Sequence, residues 1–273
     1  MTRRTRQRSA VLACLLAVWF GCAAGCNMRQ QLKATLGDSF MPPTPAEAAR
    51  MAVNMYDADS RRQGVALLSA SSFGGEEQYV KMYRLLVDDP DPTVRAVILK
   101  ALGEHGSVED ALILVRYLNN PNEPAFVRWE AAKGLQRIHN PAATPALITA
   151  VRSDPDASVR RAAADALGQY PQPNVLQTLI GALDDENFGV TVAAHRALRT
   201  LTGQDFNTDG AQWLRWSEEN RGRWFANQQP YTVEPYVRPP GLVERVQFWK
   251  KRPEPEPVVP TGLNVTAGKA PET

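Results

Sequence analysis

A helical phrase returns about every 32 residues along this chain, and that period constrains the fold more than any other feature. It reads DPTVRAVILKALG from Asp91, EPAFVRWEAAKGLQ from Glu123, PDASVRRAAADALG from Pro155 and NFGVTVAAHRALR from Asn187, with a fainter copy, DADSRRQGVALLS, from Asp57. Aligned on Arg61, Arg95, Arg128, Arg160 and Thr191, the copies are 34, 33, 32 and 31 residues apart. A period of this size specifies a stack of supersecondary units rather than one globular enzyme core.

Each phrase is preceded by a second apolar helix pattern. These patterns are EEQYVKMYRLLVDD at 76–89, SVEDALILVRYLNN at 107–120, TPALITAVRSD at 144–154 and NVLQTLIGALDD at 174–185. Apolar residues recur at i, i+3, i+4 and i+7 in both members of a pair, so each unit is two antiparallel helices. Ala131, Ala163 and Ala194 fall where the first full phrase has Ile98, and small residues there let neighbouring helices approach. Asp, Asn and Pro crowd the turns, where the carboxylates and amides cap helix starts and proline fits the first turn. Thr44-Pro45-Ala46-Glu47 has the form of a capping box and sets the first helix start. No unit can bury its apolar face alone, whereas five in series share a continuous core. The expected fold is all-α, a right-handed α-solenoid of about five antiparallel helix pairs over 44–202.

The phrase resembles the HEAT repeat, most closely the short bacterial HEAT-like type also found in phycobilisome lyases. The resemblance is carried by Asp89 with Val94-Arg95, by Asp154 with Val159-Arg160, and by the Ala-Leu-Gly endings at 101–103 and 166–168. It implies a structural ladder in which Asp and Arg pair across adjacent repeats, built here on Asp89, Arg95, Arg128, Asp154 and Arg160. Asn122 stands as a softened partner six residues before Arg128, and the ladder is expected to stop where Asp185 meets Thr191. LTGQDF at 201–206 leads into a Trp-rich helical segment, and residues 203–227 are expected to form a capping unit. They resemble the closing segment of bacterial HEAT-like proteins, with Trp213, Trp216 and Trp224 covering the last repeat.

The ends are of different material. Residues 1–25 begin with four arginines and no acid, then run almost wholly apolar from Ser9 to Ala24, the pattern of a secretory signal segment. Ala23-Ala24-Gly25-Cys26 resembles a bacterial lipobox, which implies acylation of Cys26 and a linker over 26–43. Cys22 is the poorer candidate. The three cysteines, Cys14, Cys22 and Cys26, all lie in this stretch, so a chain cut before Cys26 keeps no free thiol. Asn27, where an Asp would imply inner-membrane retention, points to the outer membrane facing the periplasm. Four of the 31 basic residues lie in 1–25; without them 27 oppose 29 acids, a net charge near −2. No strong basic field remains to argue for nucleic acid. From Gln228 to Thr273, nine of 46 residues are proline, so the tail 228–273 is expected to be extended or disordered. Within it, 241–249 has the pattern of a short amphipathic helix that docks on the solenoid end or meets a partner or membrane.

Chemistry-bearing motifs are sparse. Asp205 to Gly210 reads D-x-N-x-D-G, the first half of a calcium loop, but its twelfth position is Trp216 instead of Glu. The plainer reading is a turn in which Thr208 or Asp209 caps the next helix. His105, His139 and His195 lie in different repeats without metal-ligand spacing, so no metal and no cofactor are expected. Nucleophile elbows and phosphate loops are absent from the sequence, and Ser107 and Ser158 read as helix-start residues. What is left is surface. On the second helices, which line the concave side of such stacks, one outward row is Lys100, Lys133, Asp165 and Arg196, and its neighbour is Ala96, Trp129, Arg161 and Val192. Lys100, Trp129, Lys133, Arg161 and Arg196 form the candidate binding face, with Trp129 either its anchor or packed between repeats. The expected function is a non-catalytic scaffold for a protein partner, anchored to the bacterial envelope by the lipid on Cys26. The alternative is a lyase-like or chaperone accessory for a cofactor-bearing protein.

Overall fold

The computed structural model describes residues 43–235 and 256–263. Residues 47–273 make one compact unit; residues 1–46 make another, of which only 43–46 are described. The signal segment, Cys26 and the 241–249 pattern lie outside the described residues.

The apolar periodicity becomes five helix pairs: α1 (Pro45–Ala52) with α2 (Ala58–Ser69), α3 (Glu77–Leu86) with α4 (Pro92–His105), α5 (Ala111–Leu118) with α6 (Ala125–Arg137), α7 (Thr144–Ser153) with α8 (Ala157–Leu167), and α9 (Pro173–Gly181) with α10 (Phe188–Thr202). A further helix, α11 (Gly210–Glu219), follows. Among the described residues there is no strand, and no helix is long and apolar enough to cross a membrane. The expected all-α solenoid is present.

Local chemistry sets the helix starts. Asp57, Asp91, Asp156 and Asn187 each turn a side-chain oxygen onto a first-turn N–H of α2, α4, α8 and α10. Ser107 and Asp110 form a reciprocal capping box ahead of α5. Gly203 closes α10 at φ +69°, a left-handed conformation that glycine adopts without the Cβ clash.

The second helices of successive pairs pack directly on one another, α2 on α4, α4 on α6, α6 on α8 and α8 on α10. Their contact seam is made of small residues. Ile98, Ala131, Ala163 and Ala194, at equivalent positions, are all fully buried. At the α4–α6 crossing the backbones meet through two glycines, and a Cβ on Gly103 would lie 2.6 Å from the Cα of Gly134. At the C-terminal end the fully buried Trp213 of α11 lies edge-on to Phe206 at 5.0 Å and donates its indole N–H to Asn207 O. Trp216 and Trp224 are half-buried against the same core.

Candidate functional site: an inner-helix cleft walled by the C-terminal tail

A buried ladder of arginines fixes the spacing of the second helices. Arg61 meets Asp89, Arg95 meets Glu123, Arg128 meets Asp154, and Arg160 meets Asp185, through the Nε and Nη2 atoms in each case. The two Arg128–Asp154 bonds are 2.8 and 2.9 Å, with both side chains more than nine-tenths buried. The remaining Nη1 of each arginine donates to a carbonyl of the turn before its own helix, for example Arg95 to Asp89 O and Arg160 to Asp154 O. Asp89, Asp154 and Asp185 in turn accept from the N–H two residues on, so one carboxylate shapes a turn and joins two repeats. Hydrogen bonding to Arg160 holds the Asp185 carboxyl below its ordinary range.

The pairing across adjacent repeats is as the resemblance implied, with the six-residue spacing serving a side chain to main-chain bond beside it. The geometry corrects the sequence expectation in two places. Asn122 takes no arginine; Glu123, one residue later and one methylene longer, reaches the same place. Asp185 is itself a rung, while Thr191 bonds only its carbonyl.

The histidines and the Asp205 turn are accounted for locally. His105 Nε2 lies 2.8 Å from Ser69 O, and His139 Nδ1 lies 3.1 Å from Gln169 Oε1 while its ring stacks on Tyr170. Burial lowers the His139 pKa, against a smaller upward pull from Gln169. Asp205 is engaged by His195 Nε2 at 2.8 Å and Arg199 Nε at 3.0 Å, and Asp209 caps α11 through the Gln212 N–H. The turn's two acidic side chains, Asp205 and Asp209, thus serve local contacts. Among the described residues no group of three His, Cys, Asp or Glu side chains could hold a metal.

The C-terminal tail, expected to be extended or disordered, is described over 228–235 and 256–263. Its described parts are docked on the solenoid. Gln229 N–H donates to Thr200 O of α10, and the Tyr231 hydroxyl donates to Asp165 O of α8. Val233 and Val258 exchange both main-chain bonds at 2.9 Å as an antiparallel bridge. Thr261 N–H donates to Arg137 O, and its carbonyl accepts from His139 N–H, both at 2.8 Å. Pro260 is buried, and Gly262, at φ +87°, sits where a Cβ would strike the Val108 side chain at 2.6 Å. The tail thus runs back along the C-terminal ends of α10, α8 and α6. Burial raises the Tyr231 pKa.

Between this tail and the second helices lies a cleft of about 570 Å³. Lys133, Gln136 and Arg137 of α6 line it, with Arg161 and Asp165 of α8, Arg196 and Thr200 of α10, and the tail residues 230–234. The structure therefore brings together Lys133, Arg161 and Arg196 of the expected face. Lys100 is not among the lining residues; its Nζ lies 3.9 Å from Glu104. Trp129 is not among them either. It is half-buried against the core, with Lys133 Nζ 4.4 Å from its ring centroid. Arg196 is paired with Asp165, its neighbour in the outward row. Sequence reasoning missed Arg137 and the tail wall. The apolar Val258-Val259-Pro260 run ahead of a Thr-Gly pair was the available signal.

The HEAT-repeat family matches this chain at residues 79–157 and 123–199. Residues 79–199 carry HEAT repeats. Among solved structures the chain is similar to human deoxyhypusine hydroxylase in complex with glycerol. The identity is 17% and the TM-score 0.27, over 67% of this chain and 82% of that one. A superposition this loose carries no shared site or activity. No curated protein matches the chain. HEAT repeats suit a scaffold or protein-interaction role, and the cleft lies on the face that their second helices make.

Proposed function

We propose that this protein is a non-catalytic scaffold that binds a protein partner on the second-helix face of its HEAT repeats. A lipid on Cys26 holds it to the bacterial envelope, on the outer membrane facing the periplasm. The observation that carries the binding half is the cleft. Three successive second helices contribute Lys133, Arg161 and Arg196 to one concavity, although these residues lie 28 and 35 positions apart. Exposed arginine over a well-packed base is the composition of a protein-interaction centre. The anchoring half rests on the Ala23-Ala24-Gly25-Cys26 sequence alone.

A photo-crosslinking residue at 161 in intact cells, followed by capture and mass spectrometry, tests the binding half. The expected result is one dominant adduct that disappears in an Arg137→Ala/Arg196→Ala variant whose far-UV spectrum and melting are unchanged. Adducts that persist unchanged in that variant would place binding elsewhere. Labelled palmitate tests the anchor: incorporation is lost in Cys26→Ser, label retained by that variant moves the site to Cys22, and no label in the unaltered chain removes the anchor.

A further inference from the structure

We propose that the inner-helix cleft takes an acidic, extended segment of the partner protein, and that the chain's own docked tail is one wall of that site. The proposal rests on the scaffold reading above and names the chemistry of the bound segment.

The first ground is unbalanced charge. Every ladder arginine has its own carboxylate. In the cleft, by contrast, Lys133, Arg137 and Arg161 form no ion pair among the described residues, and the carboxylate of Asp165 is already taken by Arg196. Glu234 of the tail and the half-buried Glu130, whose pKa burial raises, are the other acids nearby. Cations held together on three rigid helices repel one another, and a run of carboxylates relieves that repulsion. Charge complementarity of this kind steers and orients a partner.

The second ground is the form of the wall. Residues 230–234 carry no helix or turn, and Val233, bridged as in a strand, spends both main-chain groups on Val258. In an extended chain the main-chain groups of Thr232 and Glu234 point the opposite way. They make no hydrogen bond among the described residues, so an incoming extended segment can pair with them as an added strand. The wall is held at Gln229, Tyr231 and Thr261, which reduces the ordering needed on binding. A main-chain edge beside fixed cations favours a peptide over a lipid headgroup, which offers phosphate but no strand to pair.

The test uses the full chain carrying Cys26→Ser. Fluorescence anisotropy follows a labelled peptide of alternating Glu and Val, its Gln-for-Glu counterpart, and competing phosphatidylglycerol vesicles. The Glu peptide should bind, the Gln peptide should not, and affinity should fall with added salt. Arg161→Glu, on an exposed side chain, should weaken binding about tenfold or more with unchanged helicity. Gly262→Val, which collides with Val108 and unseats the tail without touching the helix seam, should weaken it as well. Equal binding of both peptides, binding indifferent to Arg161→Glu, or no binding at all overturns the proposal. Tighter binding in Gly262→Val overturns it too, by making the tail a competitor instead of a wall. Vesicles that bind with Arg161 sensitivity while the peptide does not would assign the cleft to lipid. If the adduct at residue 161 persists in cells while the acidic peptide fails, the peptide class falls and the scaffold stands. If no protein is captured at all, the scaffold itself falls.

Discussion

At the residue scale, the Arg128–Asp154 pair shows how much of the fold rests on single side chains. Both are buried, and each also serves a turn, Arg128 through Glu123 O and Asp154 through the Asp156 N–H. Removing one partner strands a buried charge, at a cost of about 3–5 kcal/mol, whereas replacing both with apolar residues of similar size is much milder. Asp154→Ala should therefore lower the urea midpoint far more than Arg128→Met/Asp154→Leu, and equal losses would mean the pair matters only as volume. His139 gives a pH dependence. Its folded pKa is depressed below 6.5 by burial, so its contribution is complete above that value and is lost as pH falls through the lower folded value. The melting temperature should drop between pH 7.5 and 5.5, and His139→Gln should shrink the drop. The ladder's arginines and Asp residues were visible in the sequence because the phrase repeats. That Glu123 and Asp185 serve as rungs was not, because neither stands six residues before a ladder arginine and each is placed by the stacking of two repeats.

At the element scale, the α4–α6 crossing is set by Gly103 and Gly134. Ordinarily alanine is a better helix residue than glycine by about 1 kcal/mol. Here a methyl on Gly103 points at the Gly134 backbone at 2.6 Å, and backbone cannot turn aside. Gly103→Ala should thus destabilise, with overpacking of this kind costing about 1–3 kcal/mol, while Gly181→Ala, open on every side, should not. Thermal unfolding of the two variants side by side checks the sign. The helices themselves were legible from period, cap and proline, since those are local signals. The Ala-Leu-Gly ending at 101–103 marked a helix end, but only the crossing explains why glycine stands there. At Asp205, the start of a motif read from local spacing, the structure adds His195 and Arg199 from α10 as partners.

At the scale of the whole molecule, the docked tail joins α10, α8 and α6 from outside their seam. It closes main-chain bonds at Thr200, Arg137 and His139 that no helix partner satisfies. Gly262→Val should speed proteolytic loss of the tail and expose the His139 and Thr261 amides to hydrogen exchange, with the melting of the helical stack little changed. Simultaneous loss of tail and stack would make the tail part of the cooperative core.

The sequence by itself determined the repeat, the five helix pairs, the caps and the apolar seam, because each follows from short-range periodicity and side-chain chemistry. Only the tertiary structure decided which arginine meets which carboxylate, and that residues 230–234 wall a cleft. Those outcomes join positions tens of residues apart. A proline-rich tail carries no period of its own, and it is positioned by the free carbonyls and N–H groups of a solenoid face that exists only once the repeats have stacked.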